Sequence, residues 1–206
     1  MEMDSPVDSQ FSTALEFVER VHAPDLKWIR SRQSLVRTFD EFFEEYVYVV
    51  VASGFRGRTA ARFTPLLIAC DGDETRMLAV FKNKRKVAAI ACVFQLRHKW
   101  DEPTGFRANV ARWGIDTLIN LPMIGPITKF HLARNIGLSR DVAKPDLHLV
   151  RYAAEQRQSS VQSMVESIAQ SHEMTVGVVD FILWVWLSHA RGQTTHECCN
   201  GGARLR

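Results

Sequence analysis

Two stretches of this 206-residue chain hold residue types at a spacing that could do chemistry. The first is LPMIGPITKF, Leu121 to Phe130, with two prolines set around Gly125 and aliphatic residues on both sides. Pro122 stops a helix, Gly125 permits a chain reversal, and Pro126 suits the first turn of a new helix, where a missing N–H costs nothing. Amides at such a turn lack intrahelical partners and point outward beside a positive helix end. They suit a phosphate oxygen, alone or with a bound cation. The same residues also make a plain helix-to-helix connection. The second stretch is KPDLHLVRYAAEQ, in which Asp146 lies nineteen positions beyond Ile127. Pro145 keeps its predecessor out of helix, and Asp146 stands where an N-cap belongs, ahead of Leu147, Leu149, Val150 and Ala153. Capping is one role. A carboxylate held rigidly at a helix start can also stabilise a developing oxocarbenium cation or orient an attacking water, and the roles are compatible.

The elements that must position these residues all read as helices. Phe11, Leu15, Val18 and Val21 recur at helical spacing, as do Leu35, Phe39, Phe42 and Tyr46, which run on into VYVVVAS. That apolar stretch follows EFFEEY without a break, so it is expected to be helical and to end at Ser53 and Gly54. Further helices are expected at about Thr59 to Cys70, Lys84 to Leu96, Ala108 to Asn120, Ile127 to Ile136, Leu147 to Gln156, Val161 to Ser171 and Val176 to Ala190. With no strand pair and no internal repeat, the fold class is all-α.

Composition narrows the chemistry. The chain is 46% hydrophobic and 24% charged, which excludes a disordered protein. The opening MEMDSPVDSQ is acidic and polar, unlike a secretory leader. The longest apolar run, Val176 to Leu187, carries Asp180 and falls short of the roughly 20 residues of a membrane span. It reads as a buried helix. Residues 1–50 hold ten acidic and five basic side chains, so the net charge of +3 hides a basic remainder that could face a polyanion. The densest basic run places Lys82, Lys84, Arg85 and Lys86 at a helix start, where it is either a solvated face or a nucleic-acid contact. Of the four cysteines, Cys70 and Cys92 are isolated and Cys198 and Cys199 are neighbours, which fits reduced cytosolic thiols. His196, Cys198 and Cys199 are metal-ligand types, but without a second, separated ligand pair the spacing fits no usual zinc site, and no metal is expected.

LPMIGPITKFHLARNIGL followed by VAKPDLHLVR resembles the helix-hairpin-helix (HhH-GPD) DNA glycosylases, the endonuclease III-like superfamily that also holds adenine, alkyl-base and 8-oxoguanine glycosylases. Their pattern is an LPGxG hairpin, a helix, and then a catalytic aspartate in a D-x-H context. Asp146, Leu147 and His148 reproduce that context. EYVYVVVASGF is similar to the family's apolar helix ending in a DNA-facing loop, and NKRKVAAIACV to its helix with a basic, asparagine-containing start. The resemblance covers most of residues 36–160. It implies two helical lobes with the active-site cleft between them, one of residues 1–35 plus 141–206 and one of residues 36–140 with the helix-hairpin-helix at about 114–137.

Departures from the pattern shape the expected chemistry. Met123 replaces the first hairpin glycine, leaving the turn to Gly125. Bifunctional members carry a Schiff-base lysine where this chain has Ile127, and Lys129 lies about 200° further around a helix. A monofunctional enzyme that uses water, without lyase activity, is therefore expected. Only Cys198 and Cys199 follow the aspartate, so no iron–sulfur cluster is expected, although a monovalent cation at the hairpin fits the scheme.

The resemblance implies double-stranded DNA as partner, no membrane, a monomer, and a cytoplasmic location, nucleoid-associated in a bacterium. A base must be flipped out of the duplex before it can be cut from its sugar. Asp146 is then the catalytic carboxylate, and Met123, Ile124, Gly125, Ile127, Thr128 and Lys129 grip the DNA backbone at the hairpin. Lys84, Arg85 and His148 are further DNA contacts, although such a histidine is also a common packing residue. Phe55 and Arg56 would fill the gap left by the flipped base, or Phe55 packs under its loop. His98 and Trp100 would line the substrate pocket, or Trp100 is core. The base removed is a modified, damaged or mispaired one, in base excision repair or in defence against modified phage DNA. Two other classes fit the same residues: a catalytically inactive helix-hairpin-helix DNA-binding protein, and a helical interaction module whose basic stretches are solvated faces.

Overall fold

The computed structural model describes residues 6–32, 34–55, 57–138 and 140–190, so Arg56 and the tail carrying His196, Cys198 and Cys199 lie outside the described residues. In chain order the helices are α1 (Pro6–Val21), α2 (Ala23–Ser31), α3 (Phe39–Ala52), α4 (Gly57–Ile68), α5 (Glu74–Val80), α6 (Lys84–Phe94), α7 (Phe106–Trp113), α8 (Thr128–Asn135), α9 (Leu147–Glu155), α10 (Val161–Ser171) and α11 (Val176–Ala190). No strand occurs among the described residues, and the chain is all-α. It divides into two compact units, one of residues 34–138 and one of residues 1–33 with 139–206.

In the unit of residues 34–138, α3 is the central element and packs on α4, α6 and α8. A capping box starts it. Thr38 accepts from the Glu41 amide at 3.2 Å while Glu41 accepts from the Thr38 amide at 3.1 Å. Leu35 therefore lies outside the helix that its spacing suggested, because the cap fixes the start at Phe39. VYVVVA is helical as expected and is buried through Val51, and its neighbours Phe42, Tyr46, Leu67, Ile90, Leu118 and Leu132 complete the core. Truncating a side chain such as Phe42 to alanine costs about 3–5 kcal/mol.

The expected single helix from Ala108 to Asn120 is not formed. α7 ends at Trp113, Gly114 has φ 68°, and Gly114–Asn120 continues as a 3-10 helix. The reversed sign of φ breaks the α-helical ladder, which only glycine adopts at little cost. The short helices α2 and α5 lie outside the elements that periodicity picks out, α2 opened by Pro24 in its first turn and α5 by an Asp73 cap. Where this unit closes, Val36 donates its amide to the Ile136 carbonyl at 3.0 Å. Gly137, at φ 81°, passes so close to the Ser34 carbonyl that any side chain there would collide with it.

In the second unit, α11 is central and packs on α1, α2, α9 and α10. Its apolar run is buried nearly all round, with Phe11, Val18, Leu26, Leu149, Ile168 and Met164 filling the space beside it. No helix among the described residues is long and apolar enough to cross a membrane. Asp180, buried on α11, accepts the Lys144 backbone amide at 2.8 Å, so this charge in the apolar run anchors the chain ahead of Asp146.

Candidate functional site

Asp146 caps α9, as the preceding proline implies. Its Oδ1 accepts the amides of His148 at 2.9 Å and Leu149 at 3.1 Å. Oδ2 accepts no hydrogen bond from the described residues, and Lys144 Nζ lies 3.9 Å from it. The side chain is 11% exposed. One oxygen is thus locked while the other keeps its lone pairs. The segment leading to it is equally fixed. Gln162 accepts the Ala143 amide at 2.8 Å and donates to the Asp141 carbonyl at 2.8 Å, and Asp146 donates its own amide to the Lys144 carbonyl at 2.8 Å. Lys144 Nζ also sits 5.7 Å over the Trp184 ring. Asp146, Lys144, Asp180 and the start of α9 therefore form one rigid assembly, with His148 half-buried beside it.

The hairpin belongs to the other unit and is built differently from its expected form. The left-handed residue is Met123, at φ 63°, where the family has glycine; Gly125 is not left-handed. The turn does not rely on Gly125 for its reversal. A Cβ at Gly125 would meet nothing within 4 Å, so its backbone is open to an approaching group. The first α-helical hydrogen bond runs from the Lys129 amide to the Gly125 carbonyl at 3.0 Å. The amides of Gly125, Ile127 and Thr128 have no acceptor among the described residues, as the start of a helix requires. One buried group holds this turn, and another holds the far end of α8. Tyr46 donates its hydroxyl to the Pro122 carbonyl at 2.8 Å, and Asn135 donates to Glu45 at 3.1 Å. Burial, and next to it Cys92, push the Tyr46 hydroxyl well above the ordinary tyrosine range, so it stays a donor.

The expected hairpin contacts fall into distinct places. Ile127 is 54% exposed, and Thr128 and Met123 are half-buried. Ile124 is buried in the core, and its amide donates to the Leu121 carbonyl at 3.1 Å. Lys129 pairs with Asp116 and lies 5.3 Å over the Phe130 ring, so its charge is already matched by a carboxylate. Lys84 and Arg85 are exposed at the start of α6, whose cap is Asn83.

Phe55 is 46% exposed in the loop that ends α3, with Phe81 edge-on at 5.8 Å. Lys86, absent from the expected contacts, is what holds that loop. It is buried, donates Nζ to the carbonyls of Val51 and Ser53, and lies 4.6 Å over the Phe55 ring. A cation there complements the negative end of α3, and burial lowers its pKa. The sequence carried a signal for it, since Lys86, Ile90 and Val93 share one helical face.

Of the two places expected for Trp100, the substrate pocket or the core, it occupies the core. It is 2% exposed, stacks on Phe42 at 4.9 Å, approaches Phe39 and Phe106, and donates Nε1 to the Arg37 carbonyl at 3.2 Å. Stacking on a base would require it to leave this aromatic cluster. His98, two residues earlier, is exposed on a 3-10 helix. Within the same unit, Val93, Leu96, Phe106, Leu121 and Pro122 line a largely apolar cavity of about 380 Å³ behind the hairpin.

The chain matches no family model, no curated protein and no solved structure. The likeness to helix-hairpin-helix glycosylases therefore rests on the residues themselves.

Proposed function

We propose that this chain is a monofunctional DNA glycosylase. It flips a modified, damaged or mispaired base out of double-stranded DNA and hydrolyses its N-glycosidic bond, leaving an abasic site. The observation that carries this reading is the state of Asp146, with one oxygen fixed by two amides and the other accepting no hydrogen bond from the described residues, 3.9 Å from the Lys144 amine. A carboxylate so held needs no reorganisation to face positive charge growing on a deoxyribose, and Oδ2 can accept a proton from the attacking water. The amides at Gly125, Ile127 and Thr128 and the exposed Lys84 and Arg85 suit phosphates. The enzyme acts as a cytoplasmic monomer, in base excision repair or against modified phage DNA.

The test incubates the protein with genomic DNAs carrying different modifications, heavily modified phage DNA among them, and identifies released bases by mass spectrometry. Release of a free base that Asp146→Asn abolishes supports the reading; no release from any DNA removes it. Salt-dependent DNA binding without release would leave the inactive DNA-binding protein, for which Asp146 is a cap paired with Lys144. Lys144 also favours a second enzymatic reading, because its amine lies 3.9 Å from the carboxylate and could attack the sugar instead of water. Borohydride trapping of a covalent DNA complex, lost in Lys144→Ala, would identify that route.

A further inference from the structure

Gln10 on α1, Tyr152 on α9 and Trp186 on α11 come together in one unit, where with Glu155 and Gln156 they line an open cavity of about 390 Å³. Its size suits a small molecule. Tyr152 is 3% exposed and donates its hydroxyl to Gln10 Oε1 at 2.8 Å, and Gln156 Nε2 donates to the same oxygen at 3.3 Å. Gln10 Oε1 is therefore held by two donors, which leaves over the opposite end of each amide. The Nε2 hydrogens of Gln10 and the Oε1 of Gln156 have no partner among the described residues.

An amide nitrogen only donates and an amide oxygen only accepts. Turning over Gln10 alone would set two amino groups against each other, and turning over both amides would leave the buried Tyr152 hydroxyl proton without its acceptor. The cavity therefore presents one donor beside one acceptor. Such a pair reads the edge of a heterocyclic base, where a ring acceptor sits beside an amino donor. Trp186 is half-buried and stands nearly perpendicular to the Tyr152 ring, at 82° with centroids 6.2 Å apart, so it offers a flat wall for stacking. Among the described residues no lysine or arginine lines the cavity, whereas the Glu155 carboxylate does. Like charge disfavours a phosphate there. Gln156 lies ten positions beyond Asp146, about 15 Å further along α9, so the cavity is separate from the Asp146 carboxylate.

We propose that this cavity binds an uncharged heterocyclic base, free or as a nucleoside, held by a donor from Gln10 and an acceptor from Gln156 with Trp186 as its stacking wall. Tyr152 is the positioning residue, since its hydroxyl keeps Gln10 Oε1 turned inward. The site is independent of any reaction on DNA.

The full-length protein is titrated calorimetrically with adenosine, whose sugar lies on the far side of the ring from the edge that is read. Saturable binding is expected, and Asp146→Asn should leave it unchanged. Purine riboside, which lacks the amino group, should bind about tenfold more weakly, because the Gln156 oxygen then has no donor. Gln10→Glu keeps an acceptor for Tyr152 and Gln156 and turns the remaining end from a donor into an acceptor. Adenosine binding should then be lost while guanosine, which has two adjacent N–H donors, still binds. A role of Gln10 in packing alone would not produce that switch. If Gln10→Glu does not fold, Gln156→Met decides, since it removes the acceptor and should make adenosine and purine riboside bind alike. No saturable binding of adenosine up to its solubility, equal binding of adenosine and purine riboside by the native protein, or adenosine binding unaffected by Gln10→Glu would each overturn the proposal. Tighter binding of single-stranded oligodeoxyadenylate than of adenosine would overturn it too, by showing that the ligand carries phosphates.

Discussion

The hydroxyl of Tyr46, on the central helix of its unit, donates to the carbonyl of Pro122 at 2.8 Å and so ties the hairpin turn to α3. A second acceptor, the Ala89 carbonyl, lies 3.3 Å away on α6. Tyr46→Phe keeps the ring and leaves these carbonyls without their donor. We expect a loss of about 1–3 kcal/mol in urea unfolding. Under the proposed function, DNA affinity should weaken as well, because the amides beyond Pro122 lose their fixed direction.

Asp146→Asn and Asp146→Ala separate capping from chemistry. Asparagine caps nearly as well as aspartate, so Asp146→Asn should leave stability almost unchanged while, under the proposed function, base release disappears. Alanine removes the cap and should cost about 1 kcal/mol in addition. Equal melting curves for the native protein and Asp146→Asn, set beside their base-release rates, check this.

Met123 bears a side chain in the left-handed region. Glycine there sheds side-chain contacts and adds freedom to the unfolded chain but relieves the backbone, so Met123→Gly should stay within about 1 kcal/mol of the native protein. Met123→Val should lose roughly 1–2 kcal/mol, because branching at Cβ is least tolerated at positive φ. Chemical denaturation of the pair measures the difference.

Lys86→Met removes the cation under the Phe55 loop while retaining its length. The carbonyls of Val51 and Ser53 lose a donor, at a cost of about 1–3 kcal/mol, and the amides after Ala52 should exchange with solvent faster. Hydrogen exchange resolved by residue would show whether the effect stays in that loop.

Tyr152 donates to Gln10 at 2.8 Å, and burial, with Glu155 second, pushes its hydroxyl up to about 12. The folded state holds this proton more tightly than the unfolded chain, so the stability it contributes is complete below pH 10.0 and is lost as pH rises towards about 12. Tyr152→Phe should flatten stability across that window, read from denaturation midpoints in alkaline buffers.

Much of this was legible because it is local. Pro145 and the apolar pattern after Asp146 define a cap from a few adjacent residues, and α10 and α11 have the bounds that periodicity gives them. What was hidden depends on partners distant in the chain. Trp100 enters the core because Phe39, Phe42 and Phe106 surround it, which no local pattern announces. Lys86 reads as one more basic residue until the end of α3 is placed above it. The break at Gly114 and the left-handed Met123 are backbone choices that hydrophobic spacing does not encode. His22 and His189 are separated by 167 positions, and only the fold makes them neighbours.

The contact of Gly137 with Ser34 and the bond from Val36 to Ile136 bring both ends of residues 34–138 together. In chain order, that unit is an insertion within the other one, and its own two ends lie side by side. An insertion whose ends meet can be gained, lost or exchanged as a unit without rethreading the helices that carry Asp146.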